Sequence, residues 1–242
     1  MISKSRVKYI QSLGQKKHRD DEGVFIAEGP KLVHELLQNK NVELLELYAL
    51  NEWKQTNKNI FTGISINEIS ESELSRISQL KTPNQVVGLF KQFTKSNPET
   101  TGRISLVLDT VQDPGNLGTI IRTADWFGIS QVICSSDSAD VYNPKVVQAT
   151  MGSISRVKVF YTELEQWLRQ QTIRIYGALL DGTDVTKMKR LKEGLIIIGN
   201  ESKGIDKNLL PHINERITIP KIGEAESLNA AVATGIILSY LV

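Results

Sequence analysis

Short apolar runs rich in β-branched residues recur along the chain, separated by stretches of helical period. In the first hundred residues "VFIAE" (24–28), "LLELYAL" (44–50) and "NQVVGLFKQF" (84–93) read as strands. Residues 3–13 read as a helix, and so does "PKLVHELLQN", where Pro30 takes the first helical position. "SESELSRISQL" (70–80) opens with serine and glutamate, as a capped helix does. The alternation is clearer in the rest of the chain. Strands are expected at "ISLVLD" (104–109), "QVIC" (131–134), "RVKVF" (156–160), "IRIYGALL" (173–180), "GLIIIGN" (194–200) and "ERITIP" (215–220). Helices are expected at about 117–127, at 143–152, at 162–171 with Thr162 as cap, and at 227–241. Strands alternating with helices imply an α/β fold with a parallel sheet covered on both faces.

The polar, proline-containing stretch "TKSNPETTGR" (94–103) divides the two patterned regions. The domain bounds that follow are 1–95, a linker at 96–103, and 104–242. Repeats at solenoid periods are absent. The composition, 40% hydrophobic and 23% charged over 242 residues, is that of a globular chain. The single cysteine, Cys134, excludes an internal disulfide framework and an all-cysteine metal site, and fits a reducing compartment. The start of the chain has no apolar segment of a secretory signal. The apolar end, "AAVATGIILSYLV", is too short and interrupted to span a bilayer. The expected location is therefore cytoplasmic, without a membrane. Net charge is only +2, but Lys4, Arg6, Lys8, Lys16, Lys17 and Arg19 precede the first acid. Such a patch suits a polyanion such as RNA, or is simply a solvated helix face.

In parallel sheets ligands bind beyond the carboxyl ends of the strands. Three loops are expected there: 109–118, 199–206 and 219–229. The first, "DTVQDPGNLG", brackets Asn116 with Gly115 and Gly118, which would allow positive φ and close backbone approach. Asn116 is either a helix cap or a ligand group. Arg122 lies among Ile120, Ile121 and Ala124 and so points partly inward, toward Asp109, Asp125 or a phosphate. The second loop, "GNESKGI", is neither a Walker A motif nor a dinucleotide fingerprint. It offers a strand-end turn and one carboxylate, Glu201. In the third, Ser227 is the expected cap of the last helix and Asn229 lies in its first turn. That helix runs on small residues, a face suited to core or subunit packing.

Together, "LDTVQDPGNLGTIIRTADWFGI", "IIIGNESKGI" and "IPKIGEAESLNAAVATGIIL" resemble, in order, the three motifs of the SpoU (TrmH-like) RNA ribose 2′-O-methyltransferases of the SPOUT superfamily. Residues 1–95, best at "FIAEGPKLVHELL", are similar to the small α/β ribosomal-protein-like substrate-binding domain of many such enzymes. The resemblance implies a C-terminal SPOUT domain with a deep trefoil knot, S-adenosylmethionine as cofactor, and a homodimer without metal. It implies catalytic roles for Arg122, Asn116, Glu201, Ser227 and Asn229. Cofactor contacts are implied at Leu179, Gly199, Asn200, Ile219 and Leu228. Ser202 stands where many members carry glycine. Ribosomal RNA is the expected substrate ahead of tRNA, because the extra domain points to a large folded target. The alternatives are a catalytically inactive RNA-binding SPOUT protein, a SPOUT enzyme methylating a base nitrogen, and a nucleotide-binding α/β protein without RNA.

Overall fold

A computed structural model describes residues 1–61, 63–94 and 96–242. In chain order the first elements are α1 (Lys4–Ser12), α2 (Lys16–Glu22), β1 (Val24–Glu28), α3 (Pro30–Gln38), β2 (Leu44–Ala49), α4 (Asn51–Asn57), β3 (Asn67–Glu68), α5 (Glu71–Ile77) and β4 (Val86–Lys91). There follow β5 (Ile104–Leu108), α6 (Pro114–Trp126), β6 (Gln131–Ser135), α7 (Pro144–Thr150), β7 (Lys158–Thr162) and α8 (Leu164–Leu168). The last are β8 (Ile175–Asp184), β9 (Gly194–Ile198), β10 (Glu215–Thr218) and α9 (Ala230–Leu241). No helix is long and apolar enough to cross a membrane among the described residues.

The chain divides into two compact units: Met1–Thr94 with Asp140–Ser155, and Lys95–Ala139 with Arg156–Val242. The sequence bounds assigned 140–155 to the second domain, whereas its contacts place it in the first. The first unit holds a sheet of order β1-β4-β2-β3, antiparallel except for the β2–β3 pair. On one face Val24 and Ile26 of β1 join Val7 and Ile10 of α1 and Leu74 and Ile77 of α5 in one core. On the other, the ring of Phe25 lies 5.6 Å from Phe90 and 5.2 Å from Tyr142. Tyr142 thus explains why every residue of β1 is buried: the 140–155 segment helps cover its second face. Burial pushes the Tyr142 phenol up to about 12. Ser70 caps α5 through a full capping box with Glu73, so that expectation holds.

Two of the basic residues expected to meet RNA are otherwise engaged. Arg19 is 1% exposed and donates to the carbonyls of Leu13 and Gly14 and to Asp140 Oδ2, at 2.9, 2.9 and 2.5 Å. It is a buried tie that a guanidinium makes because it must be paired out of water. Arg6 is half-buried, bonded to Glu46 and Tyr48 and stacked over Tyr9. Lys4, Lys8, Lys16 and Lys17 are exposed, Lys16 alongside Asp20.

The second unit is the expected parallel sheet, of order β10-β8-β9-β5-β6-β7. The run "LIII" of β9 is wholly buried because strands flank it and helices cover it. Val107, Ile133, Leu195 and Ile197 form one face with Leu164 and Leu168 of α8. Helix α8 begins at Leu164 after Glu163, and Thr162 closes β7 instead of capping the helix. The chain runs outward through β5, β6 and β7, then returns to the other side of β5 with β8 and β9. The order therefore reverses between β5 and β9, where such sheets bind ligands.

Candidate active site

Strands β5 and β9 are paired in register from Ile104↔Gly194 to Leu108↔Ile198, so their carboxyl ends lie side by side. The hydrogen bond from Asp109 N to Ile198 O, 2.9 Å, carries the pairing one residue further. Beyond it the β9 chain turns back sharply. Asn200 and Gly204 exchange backbone hydrogen bonds of 3.0 and 2.9 Å, and Gly204 holds φ at +71°. A Cβ on Gly199 would stand 2.3 Å from the Gly204 carbonyl carbon, so only glycine fits there. The Asn200 side chain fastens the turn. Its Oδ1 accepts from the backbone of Ser202 and Lys203, and its Nδ2 donates to Thr110 O at 2.9 Å.

The other side of the junction is tied by Asp109, which is buried. Its carboxylate accepts Asp206 N at 2.6 Å and the Thr110 hydroxyl at 3.0 Å. Burial raises its pKa, and those two donors oppose the rise. Helix α6 starts at Pro114, three residues earlier than the apolar period indicated. Asp113, not Asn116, is the cap, accepting Asn116 N at 2.8 Å. Gly115 and Gly118 lie inside the helix and neither has positive φ.

Freed from capping, the Asn116 side chain spans the three loops. Its Nδ2 donates to Glu201 Oε1 at 2.5 Å, and its Oδ1 accepts Asn229 Nδ2 at 2.8 Å. Asn229 is also the cap of α9, its Oδ1 accepting from Ala231 N and Val232 N at 2.9 and 3.2 Å. The expected cap, Ser227, is exposed and lies before the helix. One acceptor–donor chain, Glu201–Asn116–Asn229, thus joins segments 85 and 113 residues apart in sequence.

Arg122 is exposed. It does not take either proposed carboxylate, since Asp109 accepts as described and Asp125 pairs with Arg156 at 2.9 Å. Six residues of helix separate it from Asn116 by roughly 9 Å along α6 and about 120° around it. Gly199, Asn200 and Ile219 are half-buried just past the ends of β9 and β10, Leu179 is half-buried within β8, which runs on to Asp184 instead of ending there, and Leu228 is exposed. The backbone of Lys221–Leu228 makes no hydrogen bond to other backbone groups among the described residues. Ile222 and Leu180 are exposed beside these loops, 100% and 82%. Uncommitted amide groups together with bare apolar side chains suit a ligand that is part nucleoside, part aliphatic chain. Among the described residues no group of three or more His, Cys, Asp or Glu side chains is placed to hold a metal ion.

Sequence reasoning did not single out Asp113 as a cap or Asp109 as a tie. The first had a signal, an acidic residue directly before a proline at a helix start. The second had none, because its partner lies 97 residues away.

Comparison with known proteins agrees with this geometry. Residues 103–239 match the model of the SpoU rRNA methylase family, and residues 4–88 that of an MRM3-like substrate binding domain. The 23S rRNA (guanosine(2553)-2′-O)-methyltransferase RlmP of Bacillus subtilis is 33% identical over 98% of this chain and 95% of its own length. An AdoMet-bound rRNA methyltransferase from Sinorhizobium meliloti superposes with a TM-score of 0.83 at 34% identity, covering 98% of this chain and 95% of that one. A TrmH-family chain from Porphyromonas gingivalis gives 0.87 at 36%, covering 99% and 98%. With three motif loops joined at the switch point of a parallel sheet, and with matches that run the length of both units, the chain belongs to the SpoU rRNA methylase family.

Proposed function

We propose that this protein methylates the 2′-hydroxyl of a ribose in 23S ribosomal RNA, using S-adenosylmethionine. The observation that carries the reading is the Glu201–Asn116–Asn229 hydrogen-bond chain at the β5/β9 junction. The names of the similar Bacillus and Sinorhizobium proteins support both the substrate and the cofactor.

In this reading the backbone at Leu179 of β8, at Gly199, Asn200 and Ile219 past the ends of β9 and β10, and at Leu228 before α9 holds the cofactor. When bound, the cofactor supplies an electrophilic sulfonium methyl. The protein's task is then mainly alignment of the ribose oxygen with that methyl. Asn116, held from both sides, fixes the relative position of the three loops. Arg122, a permanent cation on the adjoining turns of α6, orients an RNA phosphate and favours the ionised 2′-oxygen electrostatically. Ser227 stands beside Leu228 in the third loop, ready to contact the ribose or the cofactor. Lys4, Lys8, Lys16 and Lys17 supply exposed charge for the RNA backbone.

We also infer a homodimer and a knotted C-terminal segment. Val232, Ile236 and Tyr240 form a stripe at four-residue spacing on α9, in which Val232 and Tyr240 are exposed, and Trp126 at the end of α6 is 85% exposed. Apolar surface of that kind marks an interface. The knot is carried by the family relationship, and the cytoplasmic location by the free, buried Cys134.

The test is incubation with radiolabelled S-adenosylmethionine and rRNA from cells lacking the gene. Label is expected in one 2′-O-methylated nucleotide of 23S rRNA, resistant to alkaline cleavage. Label on a base nitrogen, or binding of RNA and cofactor without transfer, would replace the reading by one of its alternatives. Arg122→Ala should abolish transfer while cofactor binding persists. Arg122→Lys should retain some activity, and a Lys variant as dead as Ala that still binds both ligands would defeat the electrostatic role.

A further inference from the structure

A cleft of about 500 Å³ opens in the first unit between the start of α3 and the length of α4. Lys31, His34, Trp53, Thr56, Asn57 and Gln85 line it. Its volume lies in the ~300–1,000 Å³ range of small-ligand sites.

Part of the polar lining is already engaged, His34 with Gln38 and the Thr56 hydroxyl with Glu52 O, but Trp53, Asn57 and Gln85 keep groups to offer. Trp53 is only 3% exposed, yet its indole N–H finds no acceptor among the described residues. That N–H is not sealed in, since among the described residues Arg19 Nε, which does not line the cleft, is the one enclosed and unpaired side-chain atom. Asn57 is 8% exposed and donates Nδ2 to Trp53 O at 2.8 Å, which leaves Oδ1 as an acceptor. Gln85 is held at φ +57°, a conformation unfavourable for a residue with a Cβ, while its carbonyl accepts Leu50 N at 2.9 Å. Strain of this kind collects at functional positions. One wall is rigid: Trp53 stacks on Phe61 at 6.0 Å and 13°, and His34 meets Phe61 edge-on at 5.2 Å.

An accessible donor and an accessible acceptor on two largely buried residues, with a primary amide beside an aromatic wall, match the edge and plane of a nucleobase. The charge pattern agrees, because Glu35 and Glu52 on the rim oppose Lys31 and disfavour a bare phosphate. We propose that this cleft receives one unstacked base of the RNA, read through Trp53, Asn57 and Gln85. Recognition of RNA sequence rests on such splayed bases in single-stranded loops and bulges. The proposal rests on the RNA-methyltransferase reading and adds a recognition subsite to it.

The experiment titrates the four nucleoside 5′-monophosphates, and separately inorganic phosphate, into the ¹⁵N-labelled full chain. The indole signal of Trp53 is assigned with Trp53→Phe, or by elimination with Trp126→Phe and Trp167→Phe if that variant does not fold. At least one monophosphate should shift the Trp53 signal saturably, and phosphate should not. In parallel, Thr56→Phe places a ring in the cleft from an exposed position of α4. It should raise KM for rRNA at least tenfold, leaving kcat and cofactor affinity unchanged. Silence of the Trp53 signal to all four nucleotides, an equal shift with phosphate alone, or an unchanged KM in Thr56→Phe overturns the proposal. If no RNA is methylated by the unsubstituted protein, the functional reading fails, and the nucleotide titration still judges the cleft by itself.

Discussion

The hydrogen bond between Asn116 and Glu201 has a direction, and Asn116→Asp removes its donor. The variant keeps its shape and its acceptor toward Asn229, but sets a carboxylate oxygen against the Glu201 carboxylate. A hydrogen bond to a charged acceptor is worth ~1.5–3 kcal/mol. Both side chains are half-buried, so the lower end applies. Two like charges 4 Å apart repel by ~1 kcal/mol in water and by ~4 kcal/mol at an effective dielectric of 20. Solvent access keeps this site near the first value. A carboxylate in the first turn of α6 recovers ~0.3–1 kcal/mol from the helix dipole. The net expectation is a loss of about 2 kcal/mol from the second unit. Asn116→Asp combined with Glu201→Gln restores a donor–acceptor pair in the opposite sense and should regain most of it. The assay is urea unfolding of the full chain at pH 8 and low salt, followed by Trp126 and Trp167 in a Trp53→Phe background. The single variant should lower the midpoint by roughly 1 M. The double-mutant cycle should give a coupling of about 1 kcal/mol or more, well beyond the ~0.5 kcal/mol scatter of independent sites. Additive losses would refute the contact, and with it the claim that Asn116 clamps the motif loops.

Gly199→Ala forces a Cβ to within 2.3 Å of the Gly204 backbone, so the turn must open, and calorimetry should show loss of S-adenosylmethionine binding. Wild-type affinity in that variant would remove the β9 turn from the site. Arg19→Met strands the enclosed Asp140 carboxylate and should cost about 3–5 kcal/mol in urea unfolding followed at Trp53, much of it recovered by Arg19→Met with Asp140→Leu. An unchanged midpoint with weakened RNA binding would return Arg19 to the RNA surface. Glu73 is held down to about 2, first by the Ser70 N–H and then by the Ile2 N–H. A carboxylate depressed on folding stabilises above its unfolded value and loses that contribution as pH falls through the folded one. The stability gap between wild type and Glu73→Gln should therefore be full at pH 6 and close between about 4.5 and 2. A gap constant across that range contradicts the assignment.

Where local chemistry speaks, the sequence was readable. "VFIAE" ends in glycine on both sides and forms a strand with those very bounds, and Ser70 with Glu73 builds the capping box. Helices α2 and α4, "KKHRDDE" and "NEWKQTN", escaped notice because neither carries an apolar period. They are held by few buried residues, Arg19 in the first and Trp53 with Asn57 in the second, and the Asp140 partner of Arg19 lies 121 residues away. The early start of α6 was hidden by Gly115 and Gly118, whose loop propensity yields to the Asp113 cap and Pro114. Arg19 looked the same as Lys17 in a basic run, and only burial tells them apart.

From the residues alone came the alternation of strands and helices, the parallel sheet, and three chemically loaded segments at strand ends. Those follow from periodicity, capping and turn preference, which act over a few neighbouring residues. The order of strands was another matter: it sets β9 against β5 and so puts Glu201 within reach of Asn116, and Asn229 on its other side. Such pairings close loops of 85 and 113 residues. Their geometry is fixed by how the whole sheet packs, which no local window contains.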